Sequence, residues 1–479
     1  MKRKVSMPLL EKLQAYARRN MVRFHVPGHK GGSGLSRRFE NLMKENLFRW
    51  DVTEIPGMDN FHEPSGAIEK AEALLSKLYG ADRSFFLVNG ATSGIMALLG
   101  AALKKGDEVL LSRDSHKSAF MGLILSGAKP VYLKPQVDEE LGVAVGVPDS
   151  AWDEKFDEHP RAKAVFLTNP NYQGFCPNLA RIIKKAKSLG MRVLVDEAHG
   201  AHLPFSEKLP ASAGDCEADG WVQSPHKTLC SLTQSAWLHL KGKNLDPEEV
   251  RSHLSLITTT SPSYILMASL DLTRAVMERA GRKWAEKGLY LAEKARKMIN
   301  QETPFYCVGE EMKGQGGIWD VDLSRLMVNV SSAGYTGFFV EKVLRTRFRI
   351  CAEYADYCNV YFVLTGGNTL EDVARLVSAL KKFGSRRKKL RPAAFPVDIP
   401  KSAMSPQEAF FSPPEKVKLE DSAGRIARDA IIPYPPGVPI LCPGEIIEKH
   451  HIEMIEEILK AGGTCLGIKN GSVTVVKNG

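Results

Sequence analysis

Apolar positions along this 479-residue chain fall into two rhythms, and the change between them divides it. Short apolar runs bounded by small polar residues recur at Phe85 to Val88, Glu108 to Leu111, Pro130 to Leu133, Ala164 to Leu167, Val193 to Val195, Trp221 to Val222 and Ala236 to Leu240. Runs this short read as strands, most of them buried on both faces. Helical patterns follow several of them: one opens at Gly90, one ends near Ser126 and one runs from about Pro177 to Leu189. Repeated strand–helix units predict an α/β large domain with a mostly parallel sheet.

Around this domain the pattern changes. Leu9, Leu10, Leu13, Tyr16 and Ala17 mark one face of an N-terminal helix. Ser65 is the expected N-cap of an amphipathic helix, and a long helix runs from Tyr264 towards Asn300. Residues 303–383 alternate strands (Tyr306 to Gly309, Gly317 to Val321, Leu326 to Ser331) with helices near Gly337 to Arg345 and Leu370 to Phe383, the pattern of a smaller α+β domain. The expected division is an arm over 1–64, the large domain over 65–302, the small domain over 303–383, a basic linker over 384–400 and a C-terminal α+β domain over 401–479.

Composition narrows the classes. Lys and Arg exceed Asp and Glu by ten, and the isoelectric point is near 9.0. The excess lies on no single patterned face, and the run beginning Gly384-Ser-Arg-Arg-Lys-Lys has no aromatic residues interleaved beyond Phe383. That is a solvated linker, with no nucleic-acid partner expected. Eight scattered cysteines without a Cys-x-x-Cys pair point to reduced thiols and the cytoplasm. No apolar stretch is long enough to span a membrane, and no membrane partner is expected. His25 and His29 are four apart, but Pro27 and Gly28 between them oppose a helix, so no metal site is expected.

The chemistry concentrates in two stretches, Val-Leu-Val-Asp196-Glu-Ala-His and Gln223-Ser-Pro-His-Lys-Thr. Asp196 closes an apolar strand, which puts its carboxylate at the sheet edge where open α/β folds bind ligands. Lys227 follows 31 residues later, after a second strand and a Ser224-Pro-His226 turn. Taken singly, Lys227 reads as a solvated loop lysine and Asp196 as a helix cap. Together they suggest a pyridoxal phosphate (PLP) site: the lysine amine forms a Schiff base with the aldehyde, the aspartate holds the pyridine nitrogen protonated, and Ser224 and His226 donate to the phosphate. Gly90, Ala91, Thr92 and Ser93 open a helix directly after a strand and form a candidate phosphate cup of free backbone amides. Thr168 and Asn169 emerge at the same edge if the crossovers are right-handed. A DEAH helicase reading of residues 196–199 fails, because no Gly-x-x-x-x-Gly-Lys-[Ser/Thr] loop precedes it.

Phe24-His-Val-Pro-Gly-His-Lys-Gly-Gly, the two stretches above, Thr258-Thr-Thr-Ser-Pro-Ser-Tyr and Tyr434-Pro-Pro-Gly-Val-Pro-Ile-Leu-Cys-Pro-Gly-Glu resemble the motifs of the Orn/Lys/Arg decarboxylases, fold type I PLP enzymes, in their short form. These motifs are spread from residue 24 to 445, nearly the whole chain. The resemblance implies an aspartate aminotransferase-like large domain, a C-terminal domain near the pocket mouth and decarboxylation of a basic amino acid. It implies that His116 stacks on the pyridine ring with Ser118 close by, that Ala198 packs against the ring and that His199 lies near the Schiff base. Relatives often carry a hydroxyl where this chain has Ala91, which shifts that contact to backbone and to Thr92. It further implies a homodimer or higher homo-oligomer in which Thr260 and Ser261 approach the partner's cofactor.

The resulting expectation is arginine converted to agmatine and carbon dioxide for polyamine synthesis, with lysine or ornithine as alternative substrates. Lys227 and His199 both remain candidate proton donors. Glu353, Asp356 and Glu445 are candidate partners for the substrate's distal cation, and Asp59, His62 and Glu63 could approach it. A PLP aminotransferase and a catalytically silent homologue are the competing classes.

Overall fold

The computed structural model describes residues 8–35, 37–386, 390, 399–434 and 437–477. Most of the basic linker, 387–389 and 391–398, falls outside them, as do Pro435 and Pro436 of the C-terminal motif. Labels below cover the elements that position the site. The chain begins with α1 (Pro8–Arg18), then α2 (Ala67–Tyr79), β1 (Arg83–Leu87), α3 (Gly90–Ala102), β2 (Glu108–Ser112), α4 (Lys117–Ser126), β3 (Lys129–Leu133) and β4 (Ala164–Thr168). It continues through α5 (Leu179–Ser188), β5 (Arg192–Asp196), β6 (Gly220–Gln223), β7 (Ala236–Leu240), α6 (Pro247–Ile257) and the long α7 (Tyr264–Glu302).

These strands form one seven-stranded sheet in the order β1-β7-β6-β5-β4-β2-β3. From β6 to β3 every pairing is parallel, while β7 runs antiparallel to both β6 and β1. The strand interiors are apolar because helices cover both faces, except for Ser84 and His239, which bond each other at 2.8 Å. On one face Ile95, Leu98 and Leu99 of α3 pack with Phe120 and Leu123 of α4 and with Val250 and Leu254 of α6. On the other, Ile182 and Ile183 of α5 pack with Trp152 and Trp221. The parallel strands therefore deliver β2, β4, β5 and β6 to one carboxyl edge.

A four-stranded antiparallel sheet follows, from β8 (Tyr306–Cys307), β9 (Arg325–Asn329), β10 (Tyr354–Ala355) and β11 (Asn359–Val363), in the order β8-β9-β11-β10. Helices α8 (Gly337–Arg347) and α9 (Leu370–Leu380) accompany it. The N-terminal arm belongs to this region in space: Val22 and Arg23 pair in parallel with Ile350 and Cys351, and Phe24 joins the same core. Last comes a small unit of β12 (Pro414–Lys418), α10 (Lys449–Lys460) and β13 (Ser472–Val476), with its own core around Ile431, Leu441 and Ile455.

Several sequence expectations shift. Ser65 is not the cap of α2: Gly66 holds that position, and the Asp59 carboxylate covers the helix start from outside, accepting from the amides of Ser65, Gly66, Ile68 and Glu69 at 2.8–3.4 Å. Four backbone donors hold its pKa below the usual range although burial opposes this, and Asp59 does not border the cavity described below. The strand expected over Gly317 to Val321 shrinks to Asp320–Val321 and pairs with Phe175–Cys176 instead of the small sheet. Gly317 is pressed against the backbone of Gly146 and Val147, where a Cβ would lie 2.3–2.6 Å from their atoms, so its run serves as packing rather than ladder. Residues 254–257 end helix α6.

Candidate active site

At the carboxyl edge of the sheet the structure encloses a cavity of about 440 Å³, bordered by the loops after β2, β4, β5 and β6, the start of α3, the β10 region and Tyr434 and Val438 of the C-terminal unit. Its floor is Asp196, the last residue of β5. One carboxylate oxygen accepts from the Ala198 amide at 3.0 Å. Burial raises the Asp196 pKa and the neighbouring Lys227 opposes the rise. A cationic partner on the cavity side would keep it ionised.

Lys227 sits in a single helical turn, Pro225–Thr228, directly after β6. Its Nζ lies 3.0 Å from His199 Nε2 and 5.9 Å from the centre of the Tyr172 ring. Burial lowers its pKa, with Asp196 and Glu353 pulling the other way. A lysine shifted in this direction holds more of the neutral, nucleophilic amine near pH 7. The turn is fixed from outside by the N-terminal arm: the Gly28 amide donates to His226 O at 2.8 Å, and Thr365 Oγ1 donates to Gly28 O at 2.7 Å.

The remaining residues expected from sequence divide by where their side chains point. Gly90, Ala91 and Thr92 border the cavity at the α3 N-terminus, but the Gly90 amide is spent on Gln234 O at 2.7 Å. Ser93 is turned away, its hydroxyl donating to Gly90 O at 2.8 Å, so it can offer only its backbone amide. His116 caps α4, taking the Ser118 amide on Nδ1 at 3.3 Å, and both residues line the cavity. Ala198, Ser224 and His226 line it too. His226 Nδ1 donates to Ser235 O at 2.8 Å, which leaves Nε2 a donor only when the ring is protonated. Burial and Lys227 lower that pKa to about 4, and a phosphate dianion beside the ring would raise it again. Thr168 faces the cavity, whereas Asn169 turns to Glu197 Oε1 and Ala211 O.

Of the three carboxylates expected to meet a distal cation, Glu353 and Asp356 border the cavity. Glu353 Oε2 accepts from the Val26 amide at 2.8 Å. Asp356 is bound into its own turn by the amides of Cys358 and Asn359 and by Tyr361 Oη at 2.6 Å. Glu445 is excluded. It is buried outside the cavity in an ion pair with Arg113 Nη2 at 2.9 Å, and it also accepts from the Cys442 amide. His62 is exposed with Nε2 on Thr259 O at 3.0 Å, and neither it nor Glu63 reaches the cavity wall.

Sequence reasoning missed Arg325. It is buried at the start of β9, with Nη2 2.9 Å from His199 Nδ1 and 3.2 Å from His199 O. No local pattern marks it, since 126 residues separate the two. It also missed Glu197, beside Asp196, whose carboxyl takes the Gln223 side chain at 2.7 Å, the Ala213 amide at 2.7 Å and the Asn169 side chain at 3.2 Å.

A strand-end carboxylate facing a buried lysine across a small-residue helix start defines a fold type I PLP enzyme. The solved lysine decarboxylase LdcF of Francisella novicida shares the fold, with a TM-score of 0.79 and 22% identity over 99% of this chain and 82% of that one. The family pattern "Orn/Lys/Arg decarboxylase, major domain" matches residues 7–326, and its C-terminal domain matches 388–463. An arginine decarboxylase of Bacillus subtilis is 37% identical over 98% of this chain and 97% of its own length. The inducible lysine decarboxylase of Escherichia coli K12 is 23% identical over 94% of this chain and 76% of its own. The chain belongs to the Orn/Lys/Arg decarboxylase family, and it is a PLP-dependent amino acid decarboxylase.

The cavity fits that cofactor. Ser224 Oγ and Thr168 Oγ1 are buried on its wall with no hydrogen-bond partner among the described residues, a cost of roughly 1–3 kcal/mol each unless a ligand supplies the partner. Ser224 together with the α3 amides would take the phosphate, Asp196 the pyridine nitrogen, and Lys227 the carbonyl carbon.

Proposed function

We propose that the substrate is arginine and the products agmatine and carbon dioxide. Glu353 carries this reading: its carboxylate stands on the cavity wall with one oxygen anchored by Val26 and charge to offer a cationic side-chain end. The full-length similarity to the Bacillus subtilis enzyme supports arginine over lysine. In the reaction the bond between the α-carbon and the carboxylate breaks, the electron pair stays on carbon, and one proton is taken up there. Bound PLP supplies the electron sink for that pair. Asp196 would hold the pyridine nitrogen protonated and so keep that sink electron-poor. Lys227 would hold the cofactor through its buried side-chain amine. His116 and Ala198 would confine the ring from its two faces, and Tyr172 and Tyr434 help exclude water at the mouth.

The working unit on this reading is a homodimer. Thr260 and Ser261 are exposed and stand away from their own cavity, in keeping with a place beside a partner's. Phe48 and Leu256 are 90% and 80% exposed, apolar surface that a second subunit would cover. The eight cysteines are all free and mostly buried, which suits a reducing cytoplasm. Among the described residues no helix is long and apolar enough to cross a membrane.

The test is product analysis by mass spectrometry after incubating the PLP-loaded protein separately with arginine, lysine and ornithine, with Lys227→Ala as control. Agmatine from the intact protein alone is the expected result. Cadaverine or putrescine in its place would transfer the assignment to lysine or ornithine, and no amine at all would overturn decarboxylation of these substrates.

A further inference from the structure

Four cationic or ionisable groups converge on His199 from three parts of the chain. Lys227 and His226 come from the turn after β6, His116 from the cap of α4, and Arg325 from β9, while the Tyr172 ring packs 4.5 Å away. Only two of these touch the ring nitrogens. Arg325 Nη2 meets Nδ1 at 2.9 Å, and Lys227 Nζ meets Nε2 at 3.0 Å.

A guanidinium has donors and no acceptor, and it does not lose its proton in proteins. A hydrogen bond from Arg325 therefore requires a lone pair on Nδ1. The ring proton must then sit on Nε2, where it points to the Lys227 amine. A doubly protonated ring would set N–H against N–H at Arg325. Burial, followed by Lys227, Arg325 and the two neighbouring imidazoles, holds the pKa of His199 well below the usual histidine range, in agreement with a neutral ring.

Arg325 also has an ion-pair partner besides His199, a charge contact without a hydrogen bond. Its Nε lies 3.5 Å from Asp322 Oδ2. Asp322 in turn takes Ser324 Oγ at 2.6 Å and the Ser324 amide at 3.0 Å on Oδ1, and His202 Nε2 stands 3.1 Å from Oδ2. Burial opposes the charge on Asp322, but His202 and Arg325 outweigh it and its pKa is lowered. A buried carboxylate thus faces the side of the guanidinium away from the active-site ring and attracts it there.

We propose that Arg325 is a positioning residue: it locks His199 in the Nε2-protonated tautomer, so that His199 donates to the Lys227 amine and cannot itself deliver the proton that completes decarboxylation. This rests on the decarboxylase reading above and names the proton donor within it. Giving up the Nε2 proton would turn a neutral imidazole into an anion, far too unfavourable near pH 7. The Lys227 ammonium, by contrast, finds only a donor at His199 and is a stronger acid for it. One ammonium N–H bond breaks, its proton joins the electron pair left on the α-carbon, and neutral Lys227 returns as the acceptor of the His199 N–H.

The experiment is nitrogen NMR of the ¹⁵N-histidine-labelled full chain, with and without PLP, in the intact protein and in Arg325→Met, Arg325→Lys and His199→Gln, the last assigning the resonance. The expected result is one ring with its proton on Nε2 alone, unchanged in Arg325→Lys. In Arg325→Met the same ring should show mixed tautomers and titrate closer to neutral pH. Steady-state kinetics should then show kcat down about tenfold or more with KM nearly unchanged, and the pH profile of kcat displaced. A proton on Nδ1 in the intact protein, or a tautomer unaltered in Arg325→Met, would overturn the proposal. If Arg325→Met does not fold, the intact protein and Arg325→Lys still decide, since an Nδ1 proton in either is incompatible with it. The tautomer is measured without substrate, so a protein that makes no amine would refute decarboxylation while leaving this result standing.

Discussion

Arg113 and Glu445 lie 332 residues apart in sequence and form an ion pair of 2.9 Å in which both side chains are 1% exposed. Arg113 follows β2 and begins the loop that carries His116, while Glu445 belongs to the C-terminal unit. The same guanidinium donates to the carbonyls of Pro439 and Ile440, and the Lys117 amide donates to Gly437 O. The C-terminal unit therefore braces one wall of the cofactor cavity.

Removing one partner of such a pair leaves an uncompensated buried charge. Glu445→Ala should lower stability by about 3–5 kcal/mol, measured by urea unfolding, and weaken PLP retention on dialysis. Glu445→Gln keeps the hydrogen bond from Cys442 and should lose less. Equal stability of Glu445→Ala and the unaltered protein would remove the bracing role.

Gly28 is held where the arm meets the lysine turn. A Cβ there would lie 2.2 Å from Leu229 O and 3.0 Å from the carbonyl carbon of Thr228, both backbone atoms. Gly28→Ala must displace either the arm or the turn bearing Lys227. Strain of about 1–3 kcal/mol is expected, with PLP affinity down about tenfold in an absorbance titration. Unaltered cofactor affinity would show that the arm can move without the turn.

Glu197 is buried among neutral amide partners, and burial pushes its pKa up to about 8 despite them. Its folded pKa lies above the carboxylate's ordinary value of 4.5, so the folded state binds the extra proton between those limits. Stability should be greatest below pH 4.5 from this group and fall as pH rises towards 8, by at most about 1.4 kcal/mol per pH unit for one proton. Glu197→Gln should flatten that slope: its oxygen keeps the Ala213 and Asn169 amides, and the uncommitted oxygen of Gln223 receives the new amide once the Gln223 side chain flips. Urea midpoints across this window provide the check. A slope unchanged in Glu197→Gln would assign it to other groups.

Glu353→Gln keeps an acceptor for the Val26 amide while removing the charge. If Glu353 meets the guanidinium of arginine, KM should rise about tenfold or more and kcat change little, the loss of one charge-assisted hydrogen bond. Steady-state kinetics on arginine measures it. A fall in kcat at constant KM would instead place Glu353 in the chemical step.

The sequence by itself determined the frame of the reaction. Asp196 at the end of an apolar strand, Lys227 after the next strand and the small residues at Gly90 to Thr92 are local patterns. Parallel strands necessarily carry their carboxyl ends to one edge, so order along the chain predicts meeting in space. The tertiary structure alone decided which polar groups were already committed. Ser93 spends its hydroxyl on its own helix, Asp59 covers the start of α2, and Glu445 pairs with Arg113. These bonds satisfy donors and acceptors supplied by folding, which no spacing announces. Arg325 shows the same limit from the other side: its place against His199 depends on the small domain closing over the large one, and only that packing brings a guanidinium from a distant strand onto a single ring nitrogen.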